Sequence, residues 1–363
     1  KIERMAVAMK FIGEKLYKYE ALFWSLVKSL SCQYSLGIIY GRKPDYTSGN
    51  KIELITTAED AILGGKIYWI DIDNKSVKLG EPSAESGKIA LKILGQVADD
   101  LAGGLLDAVV TGPVSKKHIR LTEKGFIGHT EFFAEKFNAE DVVMSFWGPV
   151  FNLSLLTTHL PIACVPPLLT REFIKKKLRI IISETYKFIE NPRFAFLGIN
   201  PHAGEESAFG EEEVTIRNVV EELQAEGVNI EGPFSADSFF CRSLSRYDMV
   251  ISAAHDQGLI PFKLLSEDKG VNVTLGLPFY RASVDHGTAF DIAGKDIAKD
   301  SSAAQAITFV EKSLTGRHND NSQIYNRFAY IYDDYMSHVD YEEWVEFILS
   351  TYRGIAQKAP DRI

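Results

Sequence analysis

The chain has 363 residues, of which 45% are hydrophobic and 25% are charged, and its formal net charge is -9. This composition suits a globular protein with a large core or two lobes, and the acidic balance argues against a general nucleic-acid binder, which needs clustered Lys and Arg. Since the apolar runs are shorter than a membrane span and no secretory leader is recognisable, we expect a cytoplasmic protein that binds neither nucleic acid nor membrane.

The amino-terminal third is predicted to contain helix, strands and one polar turn. Residues 1–37 form an atypical segment with apolar residues at helical spacing; strands follow over 36–40, 52–56 and 66–72, and a helix over 88–101. A further strand from Leu106 ends in a glycine turn at Gly112, with Lys116 just beyond it. Such a turn can hold an anion through backbone amides and a cation, or it can be an ordinary turn with solvated lysines.

The next predicted helix begins near Gly128 and runs to Phe137. Thr130 is a candidate N-cap, which would leave His129 at the positive end of the helix dipole, facing a ligand or only capping. Further helices are predicted over 211–226 and 301–313. The loop before another helix carries Asp237, a candidate acid or base whose alternative role is an N-cap.

Three apolar strands, over 153–158, 193–199 and 248–254, are each followed by a histidine: His159, His202 and His255. Ligands bind at the carboxyl ends of strands in open α/β sheets. Three imidazoles at such ends therefore predict a divalent metal site with open positions for water or substrate. The alternative is three unrelated loop histidines. The three cysteines are too far apart in sequence to indicate a disulfide framework or a cysteine-based zinc site.

The stretch 247–294 concentrates groups that bind anions. Asp256 adjoins His255, and Lys263, Asn272 and Arg281 follow within a short span. Two cations and an amide suit an anionic substrate. Each residue taken alone is typical of a surface or structural position, so the functional interpretation depends on their clustering.

Several motifs together resemble those of the 4-hydroxythreonine-4-phosphate dehydrogenase family, over roughly residues 38–312. They read Val-Thr-Gly-Pro at 110–113, Gly-His-Thr-Glu at 128–131, Thr-His-Leu-Pro at 158–161, Asn-Pro-His-Ala-Gly-Glu at 200–205, Gly-Pro with Ala-Asp at 232–237, His-Asp-Gln-Gly at 255–258, Gly-Val-Asn-Val-Thr-Leu-Gly-Leu-Pro at 270–278 and Ser-Val-Asp-His-Gly-Thr at 283–288. The resemblance implies an α/β fold of two three-layer lobes, similar to isocitrate and isopropylmalate dehydrogenases, with the active cleft between the lobes. It also implies a homodimer with shared active sites.

The same resemblance implies a function. The family oxidises 4-phosphooxy-L-threonine with NAD and a divalent metal such as zinc, magnesium or cobalt; the product loses carbon dioxide to give 3-amino-2-oxopropyl phosphate. Matched residue by residue, the metal ligands are His159, His202 and His255, and the substrate-binding residues are His129, Thr130, Lys263, Asn272 and Arg281. Asp237, Asp256 and Lys263 are the candidate proton acceptors. Alternatives are a dehydrogenase of another phosphorylated hydroxy acid, an inactive metal-binding relative, and a phosphotransacetylase-like transferase.

The ends of the chain depart from the family pattern. Residues 1–37 lack the family's glycine-rich loop, so its first strand is not assigned there. Residues 324–363 resemble the helical start of S-adenosylmethionine-dependent methyltransferases, and we expect a truncated segment without that activity. The predicted division is therefore 1–37, a dehydrogenase domain over 38–313, a linker over 314–323, and the segment 324–363. No Gly-x-Gly-x-x-Gly motif is present, so the cofactor-binding residues are not placed.

Overall fold

The computed structural model describes residues 3–8, 35–41, 52–61, 67–72, 80–206, 208–267, 269–284, 287–293 and 301–315. The turn expected after Gly41, the residues Asp285 and His286, most of the linker and the segment 324–363 lie outside these ranges. Within them, no helix is long and apolar enough to cross a bilayer.

In the described part of the chain, twelve strands join in one sheet. They are β1 Glu3–Ala8, β2 Ser35–Gly41, β3 Ile52–Ile55, β4 Ile67–Asp71, β5 Ala108–Thr111, β6 Val143–Trp147, β7 Asn152–Leu155, β8 Phe194–Leu197, β9 Ile230–Phe234, β10 Met249–Ser252, β11 Val271–Leu275 and β12 Tyr280–Val284. The α-helices are α1 Ala84–Ala102, α2 Lys116–Ile119, α3 His129–Lys136, α4 Arg171–Thr185, α5 Glu212–Ala225, α6 Ala236–Arg242, α7 His255–Ser266 and α8 Ser301–Thr315. The strands and helices predicted between residues 36 and 313 are confirmed, with shifts of a few residues at their ends.

The strand order is β3-β4-β2-β1-β5-β12-β11-β6-β7-β10-β8-β9. The first six strands run parallel to one another, and so do the last four. Strands β11 and β6 lie between the two parallel blocks and pair antiparallel to their neighbours. The two blocks correspond to the two lobes of the predicted α/β fold.

Both faces of the second block are covered, which makes it three layers thick. Successive side chains of a strand point to opposite faces of a sheet. Accordingly, Phe196 of β8 belongs to one buried cluster with Ile216 of α5, while Leu197 belongs to another with Phe262 of α7. In the first block, α1 begins at the N-cap Ser83 and packs Ile93 and other apolar residues against β2 and β4.

The helical prediction for the amino end is wrong for Glu3–Ala8, which form the strand β1. This strand lies between β2 and β5, and Ala6 pairs with Ile38 on one side and Val109 on the other. A short apolar run is compatible with either helix or buried strand. Hydrogen bonds to two parallel neighbours decide for the strand here, and residues 9–34 lie outside the described ranges.

Candidate active site

Two of the predicted metal-binding histidines line one cavity of about 420 Å³. His159 follows β7 and His255 begins α7, immediately after β10; these two strands are parallel neighbours. Their carboxyl ends therefore open at the same edge of the sheet. The ring centroids of the two histidines are 6.0 Å apart, and Asp256 and Gln257 also line the cavity.

The two imidazoles suit a shared divalent ion. Rings at this separation can each direct one nitrogen at an ion bound at about 2 Å. Burial, and then the charge of Lys116, lower the pKa of His159, which favours the neutral form that binds metals. The Nδ1 of His255 lies 2.6 Å from an Asp256 carboxylate oxygen, an arrangement that leaves its Nε2 available to a ligand.

His202 is not among the residues that line this cavity. It follows β8 within the short helical turn Pro201–Gly204, and it is exposed. His202 acts electrostatically on Asp237. The pKa of Asp237 is lowered mainly by the hydrogen bond from Ser235 and also by His202. Over the described ranges, no group of three His, Cys, Asp or Glu side chains is close enough to hold a metal ion. One chain thus brings together two of the three predicted ligands.

A second polar region surrounds Arg281, a β12 residue that is only 3% exposed. Its Nη1 donates to Thr274 Oγ1 at 2.8 Å, and its Nη2 donates to Thr111 Oγ1 at 2.9 Å. Burial lowers the pKa of Arg281 to about 10, while the charge of Glu131 acts in the opposite direction. The guanidinium therefore stays charged at neutral pH and is held in one orientation.

Three buried polar atoms at the predicted substrate residues have no hydrogen-bond partner among the residues that the structure describes: His129 Nε2, Asn272 Oδ1 and Arg281 Nε. A buried polar atom without a hydrogen-bond partner lowers the stability of the fold by about 1–3 kcal/mol, so these atoms are candidates for binding a ligand. Burial, then Arg281, then Lys116 hold the pKa of His129 well below its usual value. A neutral His129 beside two cations is suited to an anionic ligand that pairs with the cations.

Thr130 has a different role from the N-cap that we predicted. The N-cap of α3 is Gly128, and His129 is the first helical residue. The Thr130 hydroxyl instead lies 3.4 Å from Thr274 Oγ1 and accepts a long, 3.4 Å hydrogen bond from Arg281. Thr130 therefore belongs to the hydroxyl groups around the guanidinium. Sequence reasoning did not single out Thr111 or Thr274, the other two members of this group.

Two charged residues, Lys116 and Glu131, act on both the cavity and the Arg281 region. Lys116 and Glu131 both extend across the start of α3: a Cβ on Gly128 would lie 2.8 Å from Glu131 Oε2 and 3.4 Å from Lys116 Nζ. The charge of Lys116 acts on His129 and on His159, and that of Glu131 acts on His159 and on Arg281. The same two charges therefore influence both the candidate anion-binding residues and the pair of potential metal ligands.

The candidate proton acceptors are not equally placed. Asp256 lines the cavity, and its side chain is 81% exposed. Asp237 lies in the first turn of α6, where it accepts hydrogen bonds from the Ser235 hydroxyl and the Ser238 amide. Lys263 is an exposed residue of α7 and is not among those that line the cavity. Of the three, only Asp256 adjoins the histidine pair within one chain.

Comparisons with known proteins agree with this chemistry. The family model described as pyridoxal phosphate biosynthetic protein PdxA matches residues 36–310. A 4-hydroxythreonine-4-phosphate dehydrogenase from Aquifex aeolicus is 38% identical over 286 residues, which cover 76% of this chain and 89% of that protein. A Symbiobacterium thermophilum protein, named provisionally as a D-threonate 4-phosphate dehydrogenase, is 37% identical over 72% of this chain and 81% of its own length. The crystal structure of the 4-hydroxythreonine-4-phosphate dehydrogenase from Klebsiella pneumoniae is 29% identical, with a TM-score of 0.70 over 86% of this chain and 99% of that one.

Proposed function

Because the chain belongs to the PdxA family of pyridoxal phosphate biosynthetic proteins, we propose that it oxidises 4-phosphooxy-L-threonine with NAD as hydride acceptor and with a divalent metal ion. The chain is an oxidoreductase, a dehydrogenase of that pathway. The secondary alcohol loses a hydride to NAD and a proton to the protein or solvent. The resulting β-keto acid then releases carbon dioxide to give 3-amino-2-oxopropyl phosphate.

The main support for the proposal is the group of buried polar atoms at Arg281, His129 and Asn272 that have no hydrogen-bond partner among the described residues. A phosphate or carboxylate placed there accepts from Arg281 Nε and pairs with a guanidinium whose other nitrogens are already anchored. His129 can donate from Nε2 while Asn272 accepts from an ammonium or hydroxyl group. These residues thus offer partners for both the negatively charged phosphate or carboxylate and the positively charged amino group of a phosphorylated amino acid.

A divalent ion, when bound, supplies Lewis-acid polarisation of the substrate oxygen. His159 and His255 would hold it, with Asp256 fixing the orientation of His255. Asp256 is also the candidate proton acceptor that adjoins the histidine pair.

We propose that the third ligand is His202 of the partner subunit in a homodimer. Within one chain His202 is exposed and lies outside the cavity, so a shared site explains why its sequence motif matches that of a ligand. The exposed face of α7 offers an apolar surface next to the site, since Ile260 is 59% exposed and Leu264 is 74% exposed. Lys263, between them on the same helix, would serve the partner's site in the same way.

Absorbance of NADH tests the reaction, with purified protein, NAD, 4-phosphooxy-L-threonine and each metal in turn, against a chelator control. Metal-dependent signal is expected. No signal in a chain that binds the metal would refute the substrate assignment. A second candidate substrate is D-threonate 4-phosphate, because the Symbiobacterium relative is named provisionally for it; comparing kcat/KM for the two compounds decides between them.

Mixing two inactive variants tests the shared site. His159→Ala and His202→Ala should each lack activity, but an exchanged heterodimer has one site in which all three histidines are intact. Statistical exchange should therefore restore about a quarter of wild-type activity, because half of the dimers are mixed and each has one working site. If all three ligands came from one chain, the mixture would stay inactive.

Three further expectations remain predictions from sequence. They are the cytoplasmic location, the division of the chain near residues 37, 313 and 323, and the methyltransferase-like character of residues 324–363.

A further inference from the structure

The segment that carries His202 has an unusual backbone. Five consecutive residues, 202–206, have positive φ angles of 51°, 52°, 77°, 40° and 55°, and only the third of them is glycine. L-residues rarely adopt this left-handed conformation, and a run of them persists only where the surroundings hold it. The direction of the His202 side chain therefore depends on whatever fixes this turn.

The carboxylate of Glu213, which is only 2% exposed, lies beside this turn and bonds the residues just before it. Its Oε1 accepts hydrogen bonds from the backbone amides of Ile199 at 2.8 Å and Asn200 at 2.7 Å. Its Oε2 accepts from Asn200 Nδ2 at 2.9 Å. These three bonds hold the carboxyl group of Glu213, a residue of the first turn of α5, in one position.

The same carboxylate packs against the left-handed turn. A Cβ on Gly204 would lie 2.8 Å from Glu213 Oε2, so a side chain at position 204 would collide with the carboxylate. On the opposite side, Gln257 of α7 donates to the Gly198 carbonyl at 2.6 Å. The entry to the turn is thus anchored to the helix that also carries His255.

We propose that Glu213 is a positioning residue for His202: its carboxylate holds the left-handed turn so that the imidazole is presented to a metal ion. The proposal rests on His202 being a metal ligand, as inferred above. Glu213 does not touch the metal or the substrate, so it acts only through the turn. Groups that orient metal ligands commonly change metal affinity when they are replaced.

The test is the replacement Glu213→Gln, measured by titration with Co²⁺ alone and by the visible absorption of the bound Co²⁺. Glutamine keeps the shape but must direct an N–H group at Asn200, so the turn should lose part of its support. We expect Co²⁺ to bind about tenfold or more weakly, with an altered spectrum. Glu221→Gln, an exposed change on the same helix, is the matched control and should leave both unchanged.

A merely structural role for Glu213 predicts a different result. Urea unfolding in the presence of a chelator would then show a lower stability, while the folded variant would bind Co²⁺ with wild-type affinity and spectrum. That outcome overturns the proposal. If Glu213→Gln does not unfold cooperatively, Asn200→Ala decides, because it removes one of the three bonds; it should weaken Co²⁺ binding to a smaller degree, and unchanged binding would overturn the proposal.

His202→Ala distinguishes the assignment of His202 as a metal ligand from the positioning role of Glu213. If it does not affect Co²⁺ binding, the ligand assignment fails and the positioning role fails with it. If His202→Ala weakens binding while both Glu213→Gln and Asn200→Ala do not, the ligand assignment stands and only the role of Glu213 is refuted.

Discussion

The replacement Arg281→Lys should reduce activity strongly, although it keeps the positive charge. The guanidinium donates from Nη1 to Thr274 and from Nη2 to Thr111, and the third nitrogen, Nε, is buried with no partner in the described part of the chain. The single nitrogen of lysine cannot occupy all three positions. A lysine that keeps the threonine contacts therefore lacks the third donor, the one that we propose for the substrate anion.

The magnitude follows from that one donor. A hydrogen bond between charged groups contributes about 1.5–3 kcal/mol, and its loss corresponds to a decrease in kcat/KM of roughly 10- to 150-fold. Initial rates of NADH formation over a range of 4-phosphooxy-L-threonine concentrations measure it. Arg171→Lys, at an arginine that pairs with Glu222 on the surface, is the control and should change kcat/KM little. A kcat/KM for Arg281→Lys within about threefold of wild type would refute the role given to the three guanidinium nitrogens.

Three further changes test the structure around the site. Burial lowers the folded-state pKa of His129 well below 6.5, so the unfolded chain binds more protons and the free energy of unfolding should fall as the pH decreases below 6.5. His129→Gln should make the free energy of unfolding less dependent on pH in urea unfolding from about pH 8 to about pH 5. Equal pH dependence in the variant and the wild type would contradict this explanation. Phe133→Ala removes a fully buried ring from between Phe132 and Phe279 and should lower the free energy of unfolding by about 3–5 kcal/mol. Gly258→Ala places a Cβ 2.5 Å from Leu153 Cδ1 and should cost about 1–3 kcal/mol; a variant as stable as wild type would show that α7 can shift.

Much of the sheet could be predicted because buried parallel strands are short, continuous apolar runs. Val250 and Ile251 of β10, for example, are fully buried on opposite faces. The same property explains the error at Glu3–Ala8. Their apolar residues satisfy a helical spacing when the following residues are counted, and only the neighbours β2 and β5 distinguish the strand.

The contacts between Arg281 and the hydroxyl groups around it could not be predicted, because they join distant parts of the chain. Thr111 lies 170 residues from Arg281, and Thr130 lies 144 residues from Thr274. They meet only because β12 lies between β5 and β11. A threonine near a helix start is locally most typical of a cap, and no local pattern distinguishes that role from a contact across the sheet.

The position of a histidine after a strand predicts its place in the site only in part. Strands β7, β10 and β8 are consecutive in the sheet, so three histidines that follow them might be expected to converge in one chain. Convergence is found for His159 and His255, whose rings lie 6.0 Å apart. After β8, however, the chain enters the left-handed turn, and His202 lies exposed instead of lining their cavity. The backbone angles of this loop, which the sequence does not specify, therefore keep His202 out of the cavity of its own chain, and this is the reason for proposing that the third ligand comes from a partner.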